Sequence, residues 1–325
     1  MTYRVLTRIG LVLGTLVLIA TTACRPPSAP ASAPIAPAPT SGGAGLAHDF
    51  VASPVVVPEE QNAGPQRIVS LAPMATEICC ALGLLDRLIG RTRYCDYPPA
   101  VAAVAPLGAL NELNVEVLVT LKPDLILISG TSRAISDRLR PLNLTCEWLP
   151  DNRLEDVFDA MTRVGELCGR PKTARRLCAA IREDLAAIAT RYRPATPSRV
   201  LLFPTTLTTP PTPPYAAGPG SFYADLIALA GHKLALNDTQ QPWGPLSLEY
   251  ILSTDPDVLI ELDPDGASRP GGDADALAAW SRVGDLKAVR ERRVRVLRGG
   301  QHYLPGPRVA HTFEAICRAI SEPPR

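Results

Sequence analysis

Two stretches of the 325-residue chain share one pattern: EVLVTLKPDLILI at Glu116–Ile128 and EYILSTDPDVLIE at Glu249–Glu261. In each, an acidic residue opens an apolar segment, a Pro-Asp pair ends it, and a second apolar run follows. Proline breaks a helix, and a short apolar run bounded by turn residues is typical of a buried strand. Pro123 and Pro256 occupy equivalent positions 133 residues apart. The repeat predicts two related lobes that face each other.

Strand and helix patterns alternate around both stretches. RIVSL at Arg67–Leu71 and RVLLF at Arg199–Phe203 are short β-rich runs, and each is followed by a helical segment. Such alternation is typical of βαβ units with a mainly parallel sheet. Between the halves, Leu154–Arg193 has an almost continuous helical pattern that is broken only at Gly169-Arg170-Pro171.

These patterns predict an α/β fold with two Rossmann-like lobes. Each lobe has a central, mainly parallel sheet, a long backbone helix joins the lobes, and a ligand cleft lies between them. The predicted boundaries are an N-terminal lobe over residues 66–169, a linking helix over 170–194 and a C-terminal lobe over 195–325.

The first 24 residues have the pattern of an export signal. Two arginines precede the apolar run Ile9–Ala20, which is shorter than the about 20 residues that a transmembrane helix needs. The run ends before Ala23-Cys24, and a small residue before a single cysteine is typical of bacterial lipoproteins, although Thr21 replaces the usual leucine. We expect lipidation at Cys24, an exported protein, and placement in the periplasm or at the cell surface. Ordinary signal cleavage and a retained anchor are the alternatives.

Residues 25–65 contain nine prolines among many alanines and show no helical or strand periodicity. Such composition favours extended chain and cannot bury a core. The segment is predicted to be a disordered tether that holds the folded part away from a membrane.

The charge and the cysteine content limit the classes of function that this chain can have. Lys and Arg (33) balance Asp and Glu (32), and no basic stripe occurs, so we expect no nucleic-acid partner. Eight cysteines suit an exported protein, and none form a CxxC pair. Cys168 and Cys178 flank the Gly-Arg-Pro turn and are the first candidates for a disulfide. Buried, unreactive thiols are expected at Cys79, Cys80 and Cys317.

From Arg67 to Ile320 the chain resembles the helical-backbone (class III) substrate-binding proteins of ABC importers, which carry cobalamin, haem and ferric siderophores. The resemblance rests on the order and spacing of several motifs: RIVSLAPMATEICCALGL, CDYPP at Cys95–Pro99, NVEVLVTLKPDLIL, PPYAAG, PWGPLSLE and PGPR at Pro305–Arg308. The cobalamin-binding members are the most similar. The resemblance implies a binding protein, not an enzyme, without a cofactor or resident metal. It implies a small-molecule ligand and a permease dimer with ATPase subunits as partners.

The ligand expected from the resemblance is cobalamin or a related corrinoid. A corrin is a broad apolar plate with a polar rim, so it needs aromatic faces and a few polar groups. Tyr94 and Trp243 are the strongest candidates for ligand contacts, and Leu110 stands where the cobalamin binders have a stacking tryptophan. The full set of expected ligand contacts is Tyr94, Asp96, Tyr97, Leu110, Tyr215, Trp243 and Tyr303.

Several alternatives stay open. A ferric siderophore is one, and haem is another, with Tyr303 or His302 as an axial ligand. A zinc or manganese receptor needs converging histidines. One of the four histidines, His48, lies in the predicted tether, so the sequence offers few ligands for such a metal. Asp263-Pro264-Asp265-Gly266 resembles the start of a calcium loop, but its twelfth position is Ala274 rather than glutamate. A cleft hydrolase or a surface adhesion or sensory module is a further possibility, although no GxSxG or P-loop motif occurs.

The repeat also suggests how a partner would bind. A permease with two similar subunits presents two equivalent surfaces, and Glu116 and Glu249 are acidic residues at equivalent helix starts. In the resembling family such glutamates pair with permease arginines. We therefore expect both residues to dock on the transporter.

Overall fold

A computed structural model describes residues 64–130, 133–208, 212–236 and 242–323. The described residues belong to one compact unit that spans Leu46–Arg325. The predicted signal segment, Cys24 and the tether up to residue 63 lie outside the described residues.

The first lobe is a parallel four-stranded sheet with strand order β2-β1-β3-β4. Its strands are β1 (Ile68–Ser70), β2 (Leu88–Arg91), β3 (Leu125–Ser129) and β4 (Cys146–Leu149). Its helices are α1 (Pro73–Ala81), α2 (Val115–Thr120) and α3 (Arg133–Leu139). The first helix begins at Pro73, because proline is well suited to the first turn of a helix.

Two helices, α4 (Leu154–Leu167) and α5 (Pro171–Arg191), connect the lobes. The break between them contains Gly169 at φ 70° and Pro171 at the start of α5. Left-handed backbone favours glycine at the end of a helix, and proline favours the start of the next one. In the part of the chain that the structure describes, no helix combines the length and the apolar character that crossing a membrane requires.

The second lobe repeats the parallel sheet, with strand order β10-β9-β5-β7, and adds an antiparallel pair of β6 with β8. Its strands are β5 (Arg199–Phe203), β6 (Tyr215–Ala217), β7 (Lys233–Leu234), β8 (Trp243–Pro245), β9 (Val258–Asp263) and β10 (Val294–Arg298). Its helices are α6 (Phe222–Leu229), α7 (Leu248–Thr254), α8 (Asp273–Trp280), α9 (Lys287–Arg290) and α10 (Val309–Ser321). The predicted class, two α/β lobes with parallel sheets joined by a long helix, is confirmed. The residue boundaries proposed for the lobes stay predictions.

The repeated Pro-Asp pair has the same role in both lobes. The Asp124 carboxylate accepts the backbone N–H of Arg67 at 3.0 Å, and the Asp257 carboxylate accepts that of Arg199 at 2.6 Å. Each arginine side chain in turn donates to a carbonyl at the end of the repeated helix, at Leu121 or Thr254. The aspartate therefore ties the start of β1 or β5 to the turn that precedes β3 or β9.

The disulfide expected between Cys168 and Cys178 is wrong, because both residues are free thiols in this structure. Helices α4 and α5 run back on each other, and the Cys178 thiol packs against Phe158, with its Sγ 3.8 Å from the carbonyl oxygen, and against Thr162. Cys168 lies at the end of α4, about two helical turns away along the axis.

The thiols expected to be buried are buried. Cys79, Cys80 and Cys317 are each no more than 3% exposed. Burial raises the pKa of Cys80 and of Cys317 to about 12, so neither forms the reactive thiolate near neutral pH.

Candidate functional site

The carboxyl ends of the parallel strands point to a cleft between the lobes, which holds two cavities of about 600 and 680 Å³. Both cavities share the wall formed by Gly130, Asp151, Tyr303 and Pro305. Loops that follow parallel strands meet at one edge of a sheet, which is the usual place for a ligand in open α/β folds. Because the two cavities share a wall and draw residues from both lobes, we treat them as one candidate site.

The smaller cavity has an aromatic wall from the second lobe that includes Tyr215, Phe222, Tyr223 and Trp243. Trp243 meets Tyr223 edge to face, with ring centroids 5.7 Å apart and planes at 88°. The buried Tyr223 hydroxyl donates to the carbonyl oxygen of His302 at 2.6 Å. A chain of contacts therefore fixes Trp243 at the cleft.

Tyr215 lies on β6 and Trp243 lies on β8. The two strands are antiparallel neighbours, with Tyr215 opposite Pro245 and Trp243 opposite Ala217. This antiparallel pair of strands presents both aromatic residues to the cavity. Pro204 and Thr205, which follow β5, also line this cavity.

The larger cavity is lined mainly by the first lobe. Tyr94 is 57% exposed, and Asp96 is also exposed beside it. Tyr97 lies under the Arg308 guanidinium, whose central carbon is 4.0 Å from the ring centroid. Leu110 completes this wall from a short 3₁₀ turn, Leu110–Glu112.

All seven residues expected to contact ligand therefore line the two cavities. Tyr303 lies on the wall that the cavities share and is 45% exposed. The geometry brings the residues together; their contact with a ligand stays a prediction.

Sequence reasoning did not identify the ionisable groups Asp151 and Glu77 at the cleft. Asp151, on the loop after β4, lines both cavities, and burial raises the pKa of its carboxyl while the Ser129 hydroxyl lowers it by hydrogen bonding. Arg308 forms an ion pair with Glu77 of the first lobe, and their side chains are 14% and 3% exposed. The PGPR motif pointed to Arg308, whereas no local pattern marks Asp151.

The arrangement offers little to a metal ion. Among the described residues, no group of three or more His, Cys, Asp or Glu side chains is placed to hold one. The Asp263 carboxylate is buried and accepts the backbone N–H groups of Ser268 and Arg269, so it stabilises its own loop. His302 is buried and does not line either cavity, whereas Tyr303 lines both.

Glu116 and Glu249 are both exposed, at the second residue of α2 and of α7. The capping residues before them are equivalent too: Asn114 accepts the N–H of Val117 at 3.0 Å, and Ser247 accepts that of Tyr250 at 3.1 Å. The two glutamates therefore hold the same position on the two lobes, and their role in docking stays a prediction.

Known proteins share this sequence pattern and fold. The profile of the periplasmic binding protein family matches residues 68–299. The vitamin B12-binding protein of Vibrio cholerae serotype O1 is 26% identical over 254 residues, which cover 78% of this chain and 88% of the relative.

Two solved structures have similar folds. The periplasmic vitamin B12-binding protein of Vibrio cholerae gives a TM-score of 0.65 at 27% identity, covering 79% of this chain and 96% of that one. The periplasmic haem-binding protein of Roseiflexus sp. RS-1, in its apo form, gives a TM-score of 0.66 at 26% identity. The match covers 79% of this chain and 98% of that one. The resemblance expected from the sequence motifs is confirmed. With a profile match over most of its length and a two-lobed fold around a cleft, the chain belongs to the periplasmic binding protein family.

Proposed function

We propose that this protein captures cobalamin or a related corrinoid in its cleft and delivers it to an ABC permease dimer with ATPase subunits. The observation that carries the proposal is the pair of aromatic walls on opposite lobes, with Tyr94 on one and Trp243 on the other. A flat macrocycle buries its two faces best between such walls, while polar groups at the rim fix its orientation.

The dimensions support a ligand of this size. Each cavity lies within the range of about 300–1,000 Å³ that is common for small-molecule sites, and the shared wall makes them one larger space. The names of the relatives from Vibrio cholerae, both vitamin B12-binding proteins, support the choice of a corrinoid.

Calorimetry with cobalamin, cobinamide and haem tests the proposal. We expect a corrinoid to bind with a dissociation constant in the micromolar range or tighter, about −8 kcal/mol or better. The ligand should be recovered chemically unchanged, because the proposal includes no catalytic step. Haem binding far more tightly than both corrinoids would replace the proposed ligand and leave the receptor role in place.

Haem is the second candidate, and Tyr303 is the observation that favours it. Its phenol is partly exposed on the wall that both cavities share, where it is accessible as an axial ligand. Tyr303→Phe should then abolish the absorbance bands of a tyrosine-ligated haem. The haem-binding protein from Roseiflexus with a similar fold supports testing this ligand.

Delivery to the permease is proposed to use Glu116 and Glu249. Both carboxylates are exposed, and neither forms an ion pair with another described residue. Equivalent positions on two related lobes suit a partner made of two similar subunits.

The proposed location is the periplasm or the cell surface, with the protein anchored to a membrane through a lipid on Cys24. This part of the proposal rests on the sequence alone, on the apolar run Ile9–Ala20 and the small residue before the cysteine.

A further inference from the structure

Few charged side chains line the cleft, and the negative ones outnumber the positive ones. Among the described residues that line the two cavities, only Asp96, Asp151 and Arg308 carry a formal charge. The Arg308 guanidinium donates from Nε to Glu77 Oε2 at 2.9 Å and from a second nitrogen to Oε1. Its charge is therefore neutralised inside the protein, and the two aspartates determine the charge of the wall that a ligand meets.

The backbone at Gly130 leaves space for the Asp151 carboxylate. The loops after β3 and β4 meet here, and a Cβ built on Gly130 would lie only 2.7 Å from Asp151 Oδ2. Gly130, at φ 56°, therefore leaves the space that the carboxylate fills at the wall shared by both cavities. A side chain at Gly130 would push the carboxylate away from this wall.

No described basic side chain lies within ion-pair distance of Asp151. Arg153, two residues later, donates instead to both carboxylate oxygens of Asp225 on α6, at 2.8 and 2.9 Å. The Ser129 hydroxyl is the hydrogen-bonding partner of Asp151. A half-buried carboxylate with one neutral partner retains unused acceptor capacity.

Asp96 also lines the larger cavity, and it lies between Tyr94 and Tyr97 in sequence. The neighbouring arginines are engaged elsewhere. Arg91 donates to the carbonyls of Val101 and Thr92, and Arg93 contacts Glu112 and Tyr94. No neighbouring cation in the described chain cancels the Asp96 charge.

We propose that Asp151, assisted by Asp96, makes the cleft select a flat macrocycle whose rim carries hydrogen-bond donors, such as the primary amides of a corrinoid, over one whose rim carries carboxylates. The proposal rests on the proposed function and specifies the ligand chemistry of that same site. A carboxylate that accepts an amide N–H forms a charge-assisted hydrogen bond. A ligand carboxylate at the same place would meet a like charge in a partly desolvated wall. This repulsion weakens the binding of a ligand with carboxylates at its rim.

Two probes with the same ring system separate rim chemistry from ring recognition. Dicyanocobinamide carries amide side chains around the corrin, and dicyanocobyrinic acid carries carboxylates on that ring. Calorimetry at neutral pH on the full chain gives a dissociation constant for each. We expect the wild-type protein to bind the amide form at least about tenfold more tightly.

Asp151→Asn tests the residue, because it removes the charge and keeps the shape. We expect it to reduce the preference for the amide form by several-fold, mainly through tighter binding of the acid, and Asp96→Asn should add a smaller change. Asp137→Asn is the matched control, since Asp137 is exposed, pairs with Arg140 and lies outside both cavities. The Asp137→Asn protein should prefer the amide form to the same extent as the wild type does.

The outcomes are distinguishable from failure of the proposed function. Binding of neither probe would reject the corrinoid receptor itself, and this inference with it. Tight binding of both probes with equal affinity, or of the acid form with higher affinity, would overturn the inference and leave the receptor role intact. An Asp151→Asn protein that binds the amide form but keeps the wild-type preference would show that the aspartate does not set it.

Discussion

Arg308 and Glu77 form an ion pair that connects the two lobes. Arg308 precedes α10 in the second lobe, and Glu77 lies on α1 in the first, 231 positions earlier in the chain. The guanidinium makes two hydrogen bonds to the carboxylate and stacks on the Tyr97 ring. One side chain therefore couples the relative position of the lobes to a wall of the ligand site.

The first prediction concerns this ion pair. Arg308→Met should lower the free energy of unfolding by about 3–5 kcal/mol, because it removes the guanidinium that pairs with the nearly buried Glu77 carboxylate. Urea denaturation monitored by circular dichroism measures the change. Arg140→Met is the control, since its pair with Asp137 is 79% and 66% exposed and should contribute about 0–1 kcal/mol.

A second variant separates the charge effect from lost packing. Glu77→Leu combined with Arg308→Met removes both charges, so the double variant should be more stable than Arg308→Met alone. If the double variant is no more stable than the single one, the buried charge of Glu77 is not the cause of the lost stability.

The repeat could be read from the sequence because its chemistry is local. Asp124 and Asp257 each close a turn and bind the start of the neighbouring strand, and a Pro-Asp pair before an apolar run is visible in a short window. The fold class and the equivalence of the two lobes followed from two such windows. Cysteine burial was also predictable, because apolar neighbours at helical spacing surround Cys79 and Cys317.

What the sequence did not reveal depends on contacts between distant segments. Strands β6 and β8 are short and are separated in the chain by a helix and a strand, so periodicity gave no sign of the antiparallel pair that carries Trp243. The position of Cys178 opposite Phe158 depends on how two helices pack. Asp151 became a candidate only when the structure placed it beside Gly130 on the wall of both cavities.

The second prediction concerns the aromatic wall. Trp243→Ala should weaken corrinoid binding by roughly 1–3 kcal/mol, because burying a large apolar side chain against ligand is worth about that much. Calorimetry with cobalamin measures the loss. Leu142→Ala removes an exposed side chain outside both cavities and should bind as the wild type does. Unchanged affinity in a folded Trp243→Ala protein would place the ligand away from this wall.

The third prediction concerns acid stability. Burial lowers the pKa of His302 from 6.5 to about 4, with further lowering by the charges of Arg308 and His311. The unfolded chain therefore binds a proton at a higher pH than the folded protein does. As the pH falls from about 6.5 to about 4, this residue should remove about 3 kcal/mol of the free energy of unfolding.

His302→Gln tests this contribution, because it keeps a polar side chain of similar size without the titration. Chemical denaturation from pH 7.5 to 4, in steps of roughly one pH unit, gives the free energy of unfolding of each protein as a function of pH. The slope of that curve is then compared between the two proteins. The variant should lose less stability than the wild type between about pH 6.5 and pH 4. Equal slopes would show that the imidazole does not titrate differently in the folded state.

The fourth prediction concerns the anchor. A labelled fatty acid supplied to expressing cells should enter the wild-type protein and be absent from Cys24→Ala, because the thiol is the proposed acceptor. Cys146→Ala keeps Cys24 and serves as the control, with label expected at the wild-type level. Label that persists in Cys24→Ala would contradict lipidation at this residue.

The last prediction concerns docking on the transporter. Two explanations exist for an acidic residue at the second position of α2 and α7. Each carboxylate can complement the positive N-terminus of its own helix, which is worth about 0.3–1 kcal/mol of stability. Alternatively, Glu116 and Glu249 together bind two equivalent basic sites on a permease dimer. The explanations differ in whether transporter affinity changes.

A Glu116→Ala, Glu249→Ala double variant decides between them, with Glu183→Ala, an exposed glutamate of α5, as the control. Under the docking hypothesis, the double variant binds corrinoid normally but loses roughly 2–5 kcal/mol of affinity for the reconstituted importer, because each pair is desolvated at the interface. Uptake then falls, while the control protein supports the wild-type rate. If only the melting temperature falls slightly and both importer affinity and uptake stay normal, the glutamates serve their own helices and the transporter docks elsewhere.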